Sequence, residues 1–257
     1  KNYLFSSQTK NYVSKFIDLQ KKYNISIIEV HNRPSYVNIL SKKLKDKIFS
    51  LYFHNDPLSM DGSKKISDRK NLLKICHKII FNSNWSKKRF LEGLENKFVN
   101  SDKLVVFFQS AKKNNLKIIS KKKKWITFVG KLNKAKGYDI FSKAIQKILQ
   151  KYPDWRAKII GDEKREKIIL DHKNADVLGF LNHHKTLQIF QKTSIAVACS
   201  RWEEPFGRTS LEASANGCAV IITNKGGLPE TVTNAKILDK LSVNVLEKNL
   251  KLLIENL

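Results

Sequence analysis

Two spacings of apolar residues alternate along the chain. In the second half, short apolar runs stand at residues 125–129 (WITFV), 157–160, 176–178, 195–199 (IAVAC) and 219–223 (AVIIT), each ending at or near a glycine or a polar loop. Runs of this length, rich in Val and Ile, predict strands buried on both faces. Between them lie segments with the three-to-four residue spacing of a helix: 138–151, a fragment at 187–191, 208–216 and 246–257. Pro153 stops the first of these, and Gly217 is placed to close the third as a left-handed C-terminal cap. The first half repeats the alternation more weakly, with helices at 12–23, 36–45, 67–76 and 86–94 and strands at 26–30, 47–53, 78–82 and 103–107. Strands separated by helices predict βαβ units and parallel sheets.

At 257 residues the chain is long enough for two such α/β domains. The pattern divides it into residues 1–110, a lysine-rich linker at 111–124 that ends in four lysines, and residues 125–257; residues 116–119 could add a short strand. Hydrophobic residues make up 41 %, which excludes wholesale disorder, and no apolar run approaches the roughly 20 residues of a membrane span. Residues 1–10 lack the apolar core of a signal peptide, and Cys76, Cys199 and Cys218 are too few and too scattered for a disulfide framework or a zinc cage. These features fit a reducing, cytoplasmic setting.

Charge changes the picture further. The net charge is +26, of which +19 falls in residues 1–124 and +7 in 125–257. Such an excess attracts anions: nucleic acid, acidic lipid headgroups or phosphorylated glycans. Lysine supplies 42 of the 49 basic residues, a bias that an A/T-rich coding sequence would also produce. The asymmetry between the halves is less readily explained that way.

Ligands of parallel α/β sheets bind beyond the carboxyl ends of the strands, so the loops after the strands hold the candidate chemistry. The loop after IAVAC runs through Glu204, Pro205, Phe206 and Gly207 into a helix whose first turn holds Arg208, Thr209 and Ser210. Free backbone N–H groups and the helix dipole favour a phosphate there. Glu212, one turn on, could accept two vicinal sugar hydroxyls; alternatively, Glu204 and Glu212 are a surface charge and a helix-face charge. The loop after WITFV presents Lys131 and Lys136, point charges for phosphate, and Gly179-Phe180 follows the short strand at 176–178.

Four segments in order, 128–137 (FVGKLNKAKG), Gly179-Phe180, 204–213 (EPFGRTSLEA) and 226–230 (GGLPE), resemble the nucleotide-sugar-binding domain of retaining glycosyltransferases of the GT-B fold, family 4. The resemblance implies an α/β fold of two Rossmann-like domains whose parallel sheets face a cleft. It implies that Lys131 and Lys136 bind the donor diphosphate together with the turn from Gly207 through Arg208, Thr209 and Ser210. Glu204, Pro205, Phe206 and Gly207 would meet the donor sugar, Glu212 the ribose, and Gly179 and Phe180 the base. Lysine at 131 stands where the family more often has arginine, which keeps the charge and loses the fork. In the first half, His54 at the end of LYFHND resembles the strand-end histidine of the acceptor domain and would lie near the reacting sugar. Arg33, after a second strand end (EVHNRP), and Asp56 are candidates for the acceptor side. His77, His172, His183 and His184 match nothing and read as surface or packing residues.

The implied reaction moves a sugar from a UDP- or GDP-sugar to a hydroxyl of a glycan or glycolipid, with retention, in envelope polysaccharide or lipopolysaccharide synthesis. The two lysines and the helix terminus would stabilise the leaving diphosphate. No Asp-x-Asp occurs in the chain, which points to a donor site without metal and with no cofactor beyond the sugar nucleotide. Glu204 would orient the sugar rather than attack it, unlike the carboxylate pair of a glycosidase. Relatives run longer, so the acceptor domain reads as incomplete at its start. Two rival readings are a non-catalytic sugar-nucleotide-binding relative and a nucleic-acid-binding protein. The second lacks any interleaving of basic and aromatic residues. The basic first half also fits peripheral contact with an anionic membrane at its inner face.

Overall fold

The structure is a computed structural model that describes residues 8–23, 25–112 and 122–257. It forms two compact units, Lys1–Phe108 and Gln109–Leu257.

The first unit runs α1 (Gln8–Tyr23), β1 (Ile27–His31), α2 (Pro34–Lys43), β2 (Ile48–Phe53), α3 (Ile66–Ile75), β3 (Lys78–Phe81), α4 (Asn84–Leu91) and β4 (Leu104–Val106). Its four strands are all parallel and stand in sequence order, β1-β2-β3-β4. Three right-handed crossovers that step in the same direction place their helices on the same face. Burial follows that rule. Ile28, Val30, Leu51, Phe53, Ile79 and Phe81 join one core with Val37 and Leu40 of α2, Leu72 of α3 and Phe90 of α4. The alternate positions, Glu29, His31, Ser50 and Tyr52, are exposed or half-buried.

The second unit runs β5 (Lys123–Val129), α5 (Tyr138–Lys151), β6 (Arg156–Ile160), β7 (Ala175–Val177), α6 (His183–Lys192), β8 (Thr193–Ala198), α7 (Arg208–Ala215), β9 (Ala219–Thr223), β10 (Lys236–Leu238) and α8 (Val243–Asn256). All six strands are parallel, in the order β10-β9-β8-β5-β6-β7. The chain builds outward from β5 to β7, then returns to the other side of β5 to lay down β8, β9 and β10. Both faces are covered. Ile126, Phe128, Ile195, Val197 and Ile221 pack under α5 and α8, while Ala196, Val220 and Ile222 pack against Phe190 of α6 and Ala213 of α7. The three thiols are buried and free, and burial pushes each pKa up to about 12.

Several elements begin earlier than the apolar pattern predicts, because caps rather than hydrophobic spacing set their starts. Asn182 accepts from the Lys185 amide at 2.9 Å and starts α6 on the polar turn His183-His184-Lys185. Ser83 accepts from the Ser86 amide at 3.0 Å at the start of α4, and Pro34 is pre-set for the first turn of α2. β10 carries no pattern signal in three residues; pairing to β9 creates it. The linker expected at 111–124 is corrected at its end. Lys123 and Lys124 are the first residues of β5, and the Lys122 ammonium donates to the carbonyls of Phe190 (3.0 Å) and Asn216 (2.5 Å) at the ends of α6 and α7. A cation fits there because the last carbonyls of a helix lack partners. The short strand expected at 116–119 lies outside the described residues.

Candidate functional site

In the second unit the strand order reverses between β5 and β8, and a ligand crevice in an open α/β sheet forms beyond the carboxyl ends of such a pair. The loops that leave β5 and β8 are sewn together there. The carbonyl of Ala135 accepts from the amides of Arg201 (2.9 Å) and Trp202 (3.1 Å), and from the Ser200 hydroxyl at 3.2 Å. The Arg201 guanidinium donates to both carboxylate oxygens of Asp139, at 2.6 and 2.8 Å. Burial raises the Asp139 pKa, yet Arg201 outweighs it and holds the carboxyl below its ordinary value. Gly137, at φ 74°, passes so close that a Cβ would strike the Cys199 carbonyl oxygen.

This stitching sets two candidate residues against each other. The Lys136 ammonium forms an ion pair with Glu204, and both side chains are largely withdrawn from solvent. The Lys136 amide donates to Asn133 Oδ1 at 3.0 Å, which fixes the backbone under the ammonium. Glu204 is held by its own backbone: its carbonyl accepts from the Gly227 amide at 2.6 Å. Gly226, at φ 61°, leaves no room for a Cβ against the Glu204 backbone. Glu203 clamps the same loop, accepting from the Gly226 amide at 2.6 Å and the Lys225 ammonium at 3.0 Å. Lys131 stands exposed at the start of the β5 loop.

Pro205, buried Phe206 and Gly207 lead into α7. The Ser210 hydroxyl is turned inward, donating to the Gly207 carbonyl at 2.7 Å and pairing with Thr231 at 2.8 Å. Arg208 folds back along α7 onto Glu212, at 2.9 and 3.2 Å to Oε1. The turn from Arg208 to Ser210 therefore offers an anion its backbone N–H groups, with the Arg208 and Ser210 side chains engaged elsewhere. Glu212 is nearly buried, and the same Oε1 lies 3.1 Å from His183 Nε2. Gly179 adopts φ 65° and its carbonyl accepts from the Gly161 amide at 2.8 Å beyond β6; Phe180 beside it is 79 % exposed, a free aromatic face.

In the first unit, His54 follows β2. Its ring stacks on Tyr52 (centroids 4.4 Å apart), and its Nε2 lies 2.8 Å from His31 Nδ1 at the end of β1. His31 Nε2 lies 2.6 Å from Glu29. Burial lowers the His54 pKa, the neighbouring His31 adds to the fall, and Glu29 opposes it. Asn32, at φ 54°, accepts from the amides of His54 (2.8 Å) and Asn55 (3.2 Å). Asp56 caps the short turn at Pro57–Ser59, accepting from the Leu58 amide at 3.0 Å, and pairs with Arg89 at 3.1 Å, so its carboxylate is already in use. Arg33 is exposed at the start of α2.

Residues 109–257 match the family model of glycosyl transferases group 1, which is more than half of the chain. The chain belongs to this family. The chain is 26 % identical over 247 residues to spore coat protein SA of Bacillus subtilis, covering 84 % of this chain and 64 % of that one. It is 30 % identical over 121 residues to the lipopolysaccharide core biosynthesis mannosyltransferase LpsB of Rhizobium meliloti, covering 43 % and 34 %. The chain thus spans less than two thirds of the length of either relative. Among solved structures, Anabaena HepE in complex with UDP-glucose aligns with TM-score 0.73 at 19 % identity, over 95 % of this chain and 72 % of that one. A glycosyltransferase from Rickettsia africae aligns with TM-score 0.76 at 21 % identity, over 99 % and 73 %. The fold is the α/β GT-B type with two Rossmann-like halves.

Some residues of this crevice gave no signal along the chain. Glu203, Arg201 and Asp139 act only through partners 22 or more residues away. His183, expected at the surface or in packing, reaches Glu212; its position in the first turn of α6 was hidden by the unrecognised Asn182 cap. Among the described residues no group of three or more His, Cys, Asp and Glu side chains could hold a metal ion, and no helix is long and apolar enough to cross a membrane.

Proposed function

We propose that this chain transfers a sugar from a UDP- or GDP-sugar to a hydroxyl of a glycan or glycolipid acceptor, with retention of the anomeric configuration. The observation that carries this reading is the Lys136–Glu204 ion pair at the reversal of strand order, beside the opening turn of α7. Lys136 and Glu204 hold each other until a donor arrives. The ammonium then turns to the diphosphate and Glu204 to the sugar hydroxyls. Lys131, Lys136 and the α7 amides from Gly207 to Ser210 take up the negative charge that grows on the leaving diphosphate. Pro205 and Phe206 shape the sugar side, Glu212 presents a carboxylate to the ribose, and the exposed ring of Phe180 lies against the base. The acceptor hydroxyl attacks from the face the diphosphate leaves, and a diphosphate oxygen takes its proton. On the family resemblance, His54 is assigned to the reaction as a residue that contacts substrate. HepE is solved with UDP-glucose and LpsB is named for lipopolysaccharide core synthesis, which supports a sugar-nucleotide donor and an envelope glycan as product.

A thermal-shift screen of UDP- and GDP-sugars tests donor binding: a true donor at 100 times its Kd adds about 2.7 kcal/mol of stability. With that donor, Glu204→Ala should cut turnover at least roughly 100-fold. Wild-type turnover in this variant would refute the role of Glu204, and an inverted anomeric signal in the product would refute retention.

A further inference from the structure

The donor reading leaves one histidine of the second unit without a task. His183 is the first residue of α6, and its Nε2 lies 3.1 Å from Glu212 Oε1 on α7. The same oxygen accepts from two guanidinium nitrogens of Arg208, at 2.9 and 3.2 Å. Oε1 therefore takes three N–H donors, whereas Oε2 takes none from the described residues. A carboxylate oxygen sealed away without a partner would be costly. Oε2 is not sealed: among the described residues, Arg69 Nε is the one buried side-chain nitrogen or oxygen without a hydrogen bond. The Glu212 side chain keeps 12 % of its surface in solvent, and Oε2 belongs to that remainder.

The two groups on Oε1 differ in what they tie it to. Arg208 stands four residues before Glu212 on the same helix, and its side chain is 59 % exposed, so it cannot fix Glu212 to anything outside α7. His183 comes from another helix. An imidazole has fewer rotatable bonds than an arginine and loses less freedom when held. The backbone beneath it is fixed as well. The Asn182 side chain accepts from the Lys185 amide at 2.9 Å, and the Asn182 carbonyl accepts from the Thr186 amide and hydroxyl, both at 3.1 Å. Phe190 of α6 shares one core with Ala213, the residue after Glu212, so the two helices are packed together. A carboxylate only accepts, so Nε2 carries a hydrogen in this contact whether the ring is neutral or charged. We propose that His183 is a positioning residue for ribose recognition: donating to Oε1 from α6, it holds Glu212 so that Oε2 accepts the ribose hydroxyls of the donor. This rests on the donor site given under Proposed function and adds a member to it. His183 follows Phe180 by three residues, so the same contact sets the ribose carboxylate relative to the loop that meets the base.

The test is calorimetric binding of UDP and GDP to the 257-residue chain, each beside its 2′,3′-dideoxy form, which keeps base and diphosphate and lacks both hydroxyls. In the wild type the accepted diphosphate should bind roughly 10- to 100-fold more tightly than its dideoxy form, the scale of hydrogen bonds to a charged group. His183→Ala should lower that ratio by about tenfold and leave the Kd of the dideoxy form within about twofold of wild type. His183→Phe keeps a ring without nitrogens and should do the same. General damage to the site would weaken both forms alike, so the ratio reads positioning where the bare affinity does not. The His183 side chain is 61 % exposed, so both variants should fold, as circular dichroism will check. A ribose preference kept in full by either variant would overturn the proposal and leave the donor site standing. A wild type that binds a diphosphate without preferring ribose would also overturn it, because Glu212 then meets no hydroxyl. If the wild type binds neither UDP nor GDP, the donor reading itself fails and takes this proposal with it.

Discussion

The two units solve the same problem, aiming polar groups from the carboxyl ends of parallel strands, in opposite ways. In the second unit the sheet is covered on both faces and the strand order reverses at β5 and β8. Its candidate groups sit in loops, and backbone contacts place them: Gly137 against Cys199, Gly226 against Glu204, the Ala135 carbonyl taking three donors. In the first unit the strands step one way and the core lies on one side. Its polar residues occupy the other face of the strands themselves, and stacked rings and side-chain hydrogen bonds place them. The difference teaches that a reversal of strand order supplies a crevice with rigid walls. Without one, a site must be assembled from side chains in a row, which tolerates substitution of the backbone neighbours but not of the row.

The comparison breaks most visibly at Lys136. Lys136→Ala should lower transfer roughly 100- to 1,000-fold, the scale of removing one group that stabilises transition-state charge, with circular dichroism unchanged. Next, Gly226→Ala should destabilise the protein by about 2–3 kcal/mol in urea unfolding and abolish the stabilisation by sugar nucleotide, because the new Cβ and the left-handed φ both displace Glu204. Lys122→Ala strips the ends of α6 and α7 of their shared donor and should cost about 1–3 kcal/mol by the same measurement.

The smallest effect belongs to the first unit. The His54 titration midpoint should lie below 6.5 by nuclear magnetic resonance, because burial and His31 disfavour the charged ring. The sign follows: with the folded value depressed, the contribution of His54 to stability is complete above about 6.5 and drains as the pH falls through the folded value. Replacing Glu29 with alanine removes the opposing attraction and should push the midpoint lower still. A midpoint at or above 6.5 would mean that the row is open to water, and the contrast between the units would weaken.

Much of this molecule is determined by its linear pattern. Buried strands such as 195–199 and 219–223 announce themselves because parallel strands covered on both faces must be apolar throughout. The Glu204 to Glu212 segment is legible because a glycine before a helix, between two glutamates, has a local chemistry of its own. Tertiary structure decided the rest. Four consecutive lysines look alike in sequence, yet Lys122 caps two helix ends, because helices that start 61 and 86 residues later finish beside it. Likewise, Glu29 and His31 read as an ordinary strand end until β2 arrives alongside and puts His54 2.8 Å away. The physical reason is the same in both cases. Hydrophobic period and cap chemistry act over a few residues, whereas a partner for a charge or a ring nitrogen is chosen by whichever distant segment the packed core brings within 3 Å.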